Sequence, residues 1–345
     1  MNKKNIALYA ITIALLLLIF EGLSFLLYSV NPFSVFGWQY YDDVFQELKT
    51  TRVSTGWDNY GRSPRPASSR QDHACMSAFG DSFTHGDEVE HDQAWSHIAS
   101  TLLGCEIENY GVGGFGTDQA YVLFNEIAPH TPIVLVGVYQ EMLRRNLSAS
   151  WAYYGFQKTS TLKPYFSIVN GDLTRMPFPA DASLKAVKDY HARDRYYLAY
   201  KMGFPYSVSL LKALFYRVNG NALRRSKMLP PETVYKDVEA THLEQALLDK
   251  FRDDTRKNHQ KLALLFFPTA QQAMDGDFPY LDFLKSYQAS HPEVCIIDPG
   301  PALRRASLQE NRPLAAPVGH FDVMGNRVIA DEVNARLRAC GLAAP

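Results

Sequence analysis

Ser82 occupies a position from which a serine could act as a nucleophile. Residues 76–86 read Met-Ser-Ala-Phe-Gly-Asp-Ser-Phe-Thr-His-Gly, and the apolar start that ends at Gly80 predicts a buried strand followed by a tight turn. A serine on that turn would lie at the carboxyl end of a parallel strand, where open α/β sheets bind ligands beside the N–H groups of the next helix. The alternative is that Asp81 and Ser82 only cap this helix.

Two more stretches give the chain a recognisable pattern. Residues 109–119 read Asn-Tyr-Gly-Val-Gly-Gly-Phe-Gly-Thr-Asp-Gln, and residues 320–330 read His-Phe-Asp-Val-Met-Gly-Asn-Arg-Val-Ile-Ala. In order and spacing, the three stretches resemble the sequence blocks of the SGNH (GDSL-type) hydrolases, and Trp95 falls in the helix that follows the first block. The resemblance covers residues 74–147 and 261–337 and matches the middle third of the chain only loosely.

The resemblance implies an acyl-transfer site. Ser82 would be the nucleophile, and because a serine hydroxyl is weak at its own pKa it needs a base within hydrogen-bond reach. His320 corresponds to the family's catalytic histidine; His85 ranks second, because a residue three positions along the same turn is poorly placed for proton transfer. The N–H groups of Ser82 and of Gly113 or Gly114 would form the oxyanion hole. An ordinary strand-to-helix turn is the other interpretation of the two glycines.

One departure from the family pattern concerns the third block, which follows a strand. In similar family members it reads approximately Gly-Val-x-x-Glu-Asn, and its Asn completes the oxyanion hole. Met142 stands at that place here, and a thioether donates no hydrogen bond. Gln140 and Asn146 are the nearby candidates to replace the missing amide.

A second departure concerns the acid that orients the histidine. Family members carry an Asp two or three residues before it, where this chain has Pro317 and Val318. The sequence therefore predicts a Ser82/His320 dyad, without a local third member. Asp322, Asp81 or a more distant carboxylate are the candidate helpers.

The elements that must position these residues alternate along the chain. Strand patterns occur at residues 76–79, 106–109, 132–138, 261–267 and 294–298, and helix patterns at residues 93–103, 117–128, 278–290 and 324–337. Strands that alternate with helices predict the α/β class, here a three-layer α/β/α, flavodoxin-like parallel sheet. The same sheet is the fold that the resemblance implies.

The chain divides into three parts by pattern. Residues 1–31 form a cytoplasmic tip and an anchor, residues 32–73 a tether, and residues 74–345 an SGNH-hydrolase-like domain with an insertion at about 148–258. Asn170-Gly171 predicts a hairpin turn within the aromatic start of the insertion. Helical patterns at residues 183–216 and 231–258 suggest a lid or cap.

Residues 6–30 are almost wholly apolar, long enough for a helix that crosses a bilayer. Their end lacks a small-residue cleavage site, so an uncleaved anchor is favoured over a signal peptide. Lys3 and Lys4 precede the run and the next basic residue is Lys49, which predicts a cytoplasmic amino end, a single pass through the inner membrane and an exported domain. Glu21 would lie near the outer interface, be protonated or face a partner helix.

Composition limits the partners. The net charge is −1, which gives no electrostatic case for nucleic acid, and the pairs Arg144-Arg145, Arg224-Arg225 and Arg304-Arg305 are interpreted as solvated faces. No residue spacing resembles a zinc site, and neither a metal nor another cofactor is predicted.

The four cysteines form an even set, which an exported domain could pair as disulfides. Cys75 and Cys105 begin strands that could be adjacent, which would bring the two thiols together. The alternative is that all four are small buried apolar residues.

Three functions fit the sequence. The leading hypothesis is a membrane-anchored serine esterase or acyl transferase that acts on an ester, such as an O-acetyl group of an envelope or extracellular glycan, through an acyl-Ser82 intermediate. The second is a weak or inactive glycan-binding or assembly protein on the same fold, suggested by Met142 and Val318. The third is a lipid-directed esterase.

Overall fold

The computed structural model describes residues 3–30, 74–149, 163–176, 189–190, 195, 203–215 and 229–342. The chain divides into two compact units. The larger unit comprises residues 53–149, 163–177 and 229–345 and carries all three sequence blocks, whereas the other comprises residues 1–52, 150–162 and 178–228. The predicted tether, residues 32–73, lies outside the described residues.

A parallel sheet forms the centre of the larger unit. The strands are β1 (Ala74–Gly80), β2 (Glu106–Gly111), β3 (Ile133–Tyr139), β4 (Tyr165–Val169), β5 (Asp172–Met176), β6 (Lys261–Phe267) and β7 (Cys295–Ile297). Five of them pair in the order β2-β1-β3-β6-β7, all parallel. Every residue of β3 is buried, as expected for a central strand covered on both faces.

Helices connect these strands. The helices are α1 (Lys3–Val30), α2 (Ser82–His85), α3 (Trp95–Leu103), α4 (Thr117–Ile127), α5 (Gln140–Asn146), α6 (Tyr206–Phe215), α7 (Val238–Lys257), α8 (Ala270–Asp275), α9 (Leu281–Ser290), α10 (Gly300–Glu310) and α11 (Val323–Ala339). Helix α11 packs on α3, and α7 packs on α4. The chain runs from β1 to its neighbour β2 and then crosses back over β1 to β3. Because both crossovers are right-handed, α3 and α4 lie on opposite faces of the sheet. The predicted three-layer α/β/α, flavodoxin-like sheet is confirmed.

Three short helices were not predicted, namely α5, α8 and α10. Helix α5 begins directly after Tyr139, and α10 begins directly after Pro299, which the sequence suggested only as a strand end. Helices α5 and α8, with 7 and 6 residues, lack the several turns over which a helical period becomes recognisable, whereas α10, with 11 residues, is long enough and was simply not recognised.

The predicted hairpin is confirmed. Strands β4 and β5 are antiparallel, and Asn170 and Gly171 between them have φ angles of 53° and 92°. This backbone is that of the two-residue turns for which Asn-Gly is the preferred sequence. Of the helical pattern at residues 183–216, the structure describes mainly its end, helix α6.

The four cysteines form two disulfides. Cys75–Cys105 links the starts of β1 and β2, as their predicted adjacency suggested, and Cys295–Cys340 links β7 to the end of α11. The alternative of four free buried cysteines is therefore wrong.

Candidate active site

Ser82 is the first residue of α2, immediately beyond β1. The side chain of Asp81 accepts a hydrogen bond from Phe83 N at 3.0 Å and so caps the helix. The sharp turn requires glycine at position 80, since a Cβ there would lie 2.1 Å from Thr84 Oγ1. Ser82 retains 8 % of its surface exposed, so its hydroxyl lies at the edge of the core.

His320 is held by Glu88, a residue that the sequence did not single out. One oxygen of the Glu88 carboxylate lies 2.7 Å from His320 Nδ1 and accepts from His320 N at 3.0 Å. The other oxygen accepts from Val318 N at 2.7 Å. One carboxylate therefore orients both the imidazole ring and the loop that carries it.

Glu88 is fixed in this position by an uncommon backbone. Its φ angle is 70°, in the left-handed region that residues other than glycine rarely adopt. Burial raises its pKa, but the hydrogen bonds from His320 N, Val318 N and the imidazole outweigh burial and hold the pKa below its usual value. The carboxylate is thus ionised over the range in which a histidine titrates.

The imidazole lies beside the residue that follows the serine. The rings of Phe83 and His320 have centroids 4.9 Å apart, and Phe83 stacks on Tyr139 at 4.1 Å. The structure therefore brings the first and last sequence blocks together at the carboxyl ends of β1 and β3.

The two glycines of the second block lie in the loop between β2 and α4. Gly114 has a φ angle of 82°, and both glycines are half-buried. Val112 N donates to Gly80 O at 3.0 Å, which ties this loop to the turn before Ser82.

Arg145 also joins the turn before Ser82 to the loop between β2 and α4. Its Nη1 donates to Asp81 Oδ2 at 2.8 Å and to Phe115 O at 2.8 Å. Both Arg144 and Arg145 are buried, so the interpretation of this pair as a solvated face is wrong, whereas Arg304 and Arg305 are exposed as expected. Arg224 and Arg225 lie outside the described residues.

A buried polar network supports Arg145 and the glycine loop. The Glu244 carboxylate accepts from Thr117 Oγ1 at 2.8 Å and from Asn146 Nδ2 at 2.7 Å, and burial raises its pKa to about 8. Asn146 Oδ1 accepts from Asp118 N at 3.2 Å, and Lys163 Nζ forms a buried ion pair with Asp118. The Asn146 amide, a candidate oxyanion donor in the sequence, is thus engaged between α4, α5 and α7.

The other candidates at the third block are also engaged in the interior. Met142 is fully buried in α5, and Gln140 accepts a hydrogen bond from Gln272 Nε2 at 2.9 Å. Met142 at the family's Asn position offers no hydrogen-bond donor.

The remaining candidate helpers have partners of their own. His85 Nδ1 lies 2.7 Å from Asp87 Oδ1. Asp322 caps α11 by accepting from Gly325 N at 2.9 Å, and it pairs with Arg312 Nη1 at 2.6 Å. The carboxylate found at His320 is the distant one, Glu88, rather than Asp322 or Asp81.

Comparisons with known proteins add only context. No family model and no curated protein matches the sequence. Solved structures that match include a member of the lipolytic G-D-S-L family from Veillonella parvula, at 14 % identity over 75 % of this chain and 94 % of the other, with a TM-score of 0.38. They also include a catalytic mutant of an acetylxylan esterase from Geobacillus stearothermophilus, at 13 % identity over 77 % and 93 %, with a TM-score of 0.39.

A third match is an α/β hydrolase from the metagenome of Lake Arreo, at 12 % identity over 78 % and 96 %, with a TM-score of 0.42. Identities and TM-scores this low carry no functional argument. The resemblance to SGNH hydrolases rests on the sheet order and on the three sequence blocks of this chain. Among the described residues, no group of three His, Cys, Asp or Glu side chains is placed to hold a metal ion.

Proposed function

We propose that this protein is a serine esterase whose catalytic residues are Ser82, His320 and Glu88. The observation that supports this most strongly is the contact between Glu88 and His320 Nδ1 at 2.7 Å. With Nδ1 held by a carboxylate, the imidazole has its Nε2 left as the nitrogen that can take a proton from serine.

The proposed reaction has two halves. Ser82 Oγ attacks the ester carbonyl carbon and its proton passes to His320 Nε2; the oxyanion accepts hydrogen bonds from the N–H groups of Ser82 and of Gly113 or Gly114. Collapse of this intermediate expels the alcohol, which takes the proton from His320, and leaves acyl-Ser82. Water or another hydroxyl then repeats the sequence in reverse and releases the acyl group.

The replacement of the family's third-block Asn by Met142 should lower the turnover rate. Each oxyanion donor is worth about 10² to 10³ in turnover. Two backbone donors still leave substantial stabilisation of the intermediate, so a slow enzyme is consistent with Met142. The second candidate, a binding protein that has lost activity, draws its support from the same residue.

We further propose that the enzyme is anchored in the inner membrane with its domain exported. Helix α1 is apolar over residues 4–30 and long enough to span a bilayer. The two disulfides of the larger unit suit an oxidising compartment. An exported esterase would meet envelope or extracellular glycans, so an O-acetyl group is the proposed substrate, with a lipid ester as the alternative.

Paired substitutions test the catalytic assignment. Ser82→Ala and His320→Ala should each reduce hydrolysis of p-nitrophenyl acetate to the same residual level, and the double variant should be no slower, since residues that act as one unit are non-additive. His85→Ala is the matched control and should retain most of the activity. Loss of activity in His85→Ala, with an active His320→Ala, would overturn the choice of base.

A further inference from the structure

Glu21 lies inside the apolar helix α1, and α6 supplies its partners. One carboxylate oxygen accepts from Tyr206 N, and the other accepts from Ser207 N at 2.9 Å and from Ser207 Oγ. Glu21 thus caps the first turn of α6, where unpaired N–H groups and the positive end of the helix dipole favour an anion. Both helices belong to the smaller unit.

Aromatic contacts extend this interface along one stripe of α1. The ring of Tyr206 lies 5.0 Å from that of Phe25 and 5.1 Å from that of Tyr28. With the fully buried Ser24, the contacting positions of α1 are 21, 24, 25 and 28, the spacing of one helical face. Helix α6 therefore docks on the last third of α1.

The outward surface of α6 is apolar. Its turn and helix expose large apolar side chains, which are Phe204 (79 %), Val208 (44 %), Leu211 (56 %), Leu214 (45 %) and Phe215 (57 %). The residues on its buried side are small or apolar, namely Ser209, Leu210 and Ala213. Lys212 is exposed among the apolar side chains, and a lysine stem can lie along acyl chains while its amine reaches the headgroups.

The position of Glu21 sets the depth of this interface. If the hydrocarbon core begins at Ile6, about 20 helical residues cross its ~30 Å, so the outer edge lies near Phe25. Glu21 is then about 6 Å inside that edge. An unpaired carboxylate at this depth is costly, and the cap from α6 satisfies it.

We infer that α6 is a second membrane-embedded element, a short helix that lies in the outer leaflet against α1 with its apolar surface in the acyl chains. At 10 residues it is too short to cross the bilayer, so it lies at the interface. The partner of this surface is lipid, because it continues the apolar surface of α1. The inference rests on the proposed membrane insertion of α1, and it favours a retained anchor, since cleavage would remove Glu21 from α6.

Lipid quenching of a fluorophore tests this inference on the full chain. All four native cysteines are in disulfides, so a single introduced cysteine can be labelled with the dye NBD after reconstitution in phosphatidylcholine vesicles that carry nitroxide lipids. The variants are Leu211→Cys in α6, Leu16→Cys in α1, and Leu308→Cys on α10, an exposed leucine of the larger unit.

Positions 211 and 16 should both be quenched, and position 308 should not. Quenching at 16 with none at 211 would overturn the inference while leaving the anchor intact. No quenching at either position would overturn the anchor and the inference with it, and neither result changes the test of Ser82 and His320.

A second variant examines the cap itself. Glu21→Ala in the Leu211→Cys chain should at least halve the quenching at position 211, whereas Glu21→Gln, which keeps an acceptor oxygen, should retain more of it. Esterase activity of the same vesicles should stay unchanged, which shows that the larger unit remains folded. Unchanged quenching in Glu21→Ala would overturn the docking of α6 through Glu21.

Discussion

At the scale of residues, the proposed orienting acid is Glu88, which lies far from His320 in the sequence. In the family that the three blocks resemble, the acid lies just before the histidine, but here Glu88, two residues after the first block, reaches His320 across 232 positions. A sequence pattern could not reveal this contact, since it depends on the left-handed backbone at Glu88 and on the approach of two loops. The sequence did show that the local acid was missing, and it left a more distant carboxylate among the candidate helpers of a Ser82/His320 dyad.

The Glu88 contact predicts a kinetic defect of a particular kind. Glu88→Gln keeps the size of the side chain but replaces the carboxylate, so kcat should fall by about 10² to 10⁴ with little change in KM; the upper figure is the loss in a serine protease whose triad acid becomes an amide. Asp92→Asn, an exposed acid in the same segment, is the matched control and should keep wild-type kcat. Equal kcat in Glu88→Gln and wild type would show that the carboxylate has no role.

At the scale of elements, α5 supplies Arg145, which joins the two segments proposed to form the oxyanion hole. This helix was not predicted, and its two arginines were interpreted as surface residues because they follow each other in sequence. The burial of Arg145 depends on its hydrogen bonds to Asp81 and to Phe115 O, two residues that are distant in the sequence. Strands could be predicted more readily than this helix, since β1, β3 and β6 are apolar runs whose burial the sequence shows directly.

Arg145 should therefore act on the reaction as a positioning residue. Arg145→Met removes both hydrogen bonds and should lower kcat at least tenfold, since the N–H groups of the two loops lose their fixed separation. Arg145→Lys keeps the charge and one contact, so it should recover part of kcat relative to Arg145→Met. Kinetics of p-nitrophenyl acetate hydrolysis with a thermal melt of each variant separate this effect from unfolding, which loss of a buried ion pair can cause.

If Arg145→Lys folds as well as the wild type but is as slow as Arg145→Met, the positioning role is wrong, because the charge and a contact would then be present without effect. The control is Arg304→Met, a change at an exposed residue of α10, which should leave kcat unchanged.

At the scale of the whole molecule, the parallel α/β sheet, the hairpin and the closeness of Cys75 to Cys105 could be predicted from the sequence, whereas the buried network could not. The network joins α4, α5 and α7 with Lys163, just before β4, and these residues are far apart in the chain. Single polar residues in a sequence do not show which of them are buried together. The Cys295–Cys340 disulfide was missed for the same reason, since it joins a strand to the last helix.

The network makes stability depend on pH. Burial raises the pKa of Glu244 to about 8, above its value in the unfolded chain, so the folded state holds a proton that the unfolded state releases. The contribution of this bound proton to the unfolding free energy is complete below the pKa of the unfolded chain and is lost as the pH rises toward 8. Between these two pKa values, this group should make the unfolding free energy fall by about 1.4 kcal/mol per pH unit.

Glu244→Gln removes the titration while keeping an acceptor for Asn146 and Thr117. The difference in unfolding free energy between Glu244→Gln and wild type should therefore grow in favour of the variant between pH 5 and pH 8, as measured by urea denaturation at each pH. Glu239→Gln on the same helix is the control. A difference that does not change with pH would mean that Glu244 is ionised in the folded protein.

We propose that Ser82 is an activated nucleophile, and a fluorophosphonate probe is the sharpest test, because such a probe bonds to a serine only when a base and an oxyanion hole assist the attack. The full chain in detergent is treated with the probe, and the modified peptide is located by mass spectrometry. We expect a label on Ser82 in the wild type, much slower labelling in Glu88→Gln, and no label in Ser82→Ala or His320→Ala. A folded wild-type protein that takes up no label at Ser82 would contradict it.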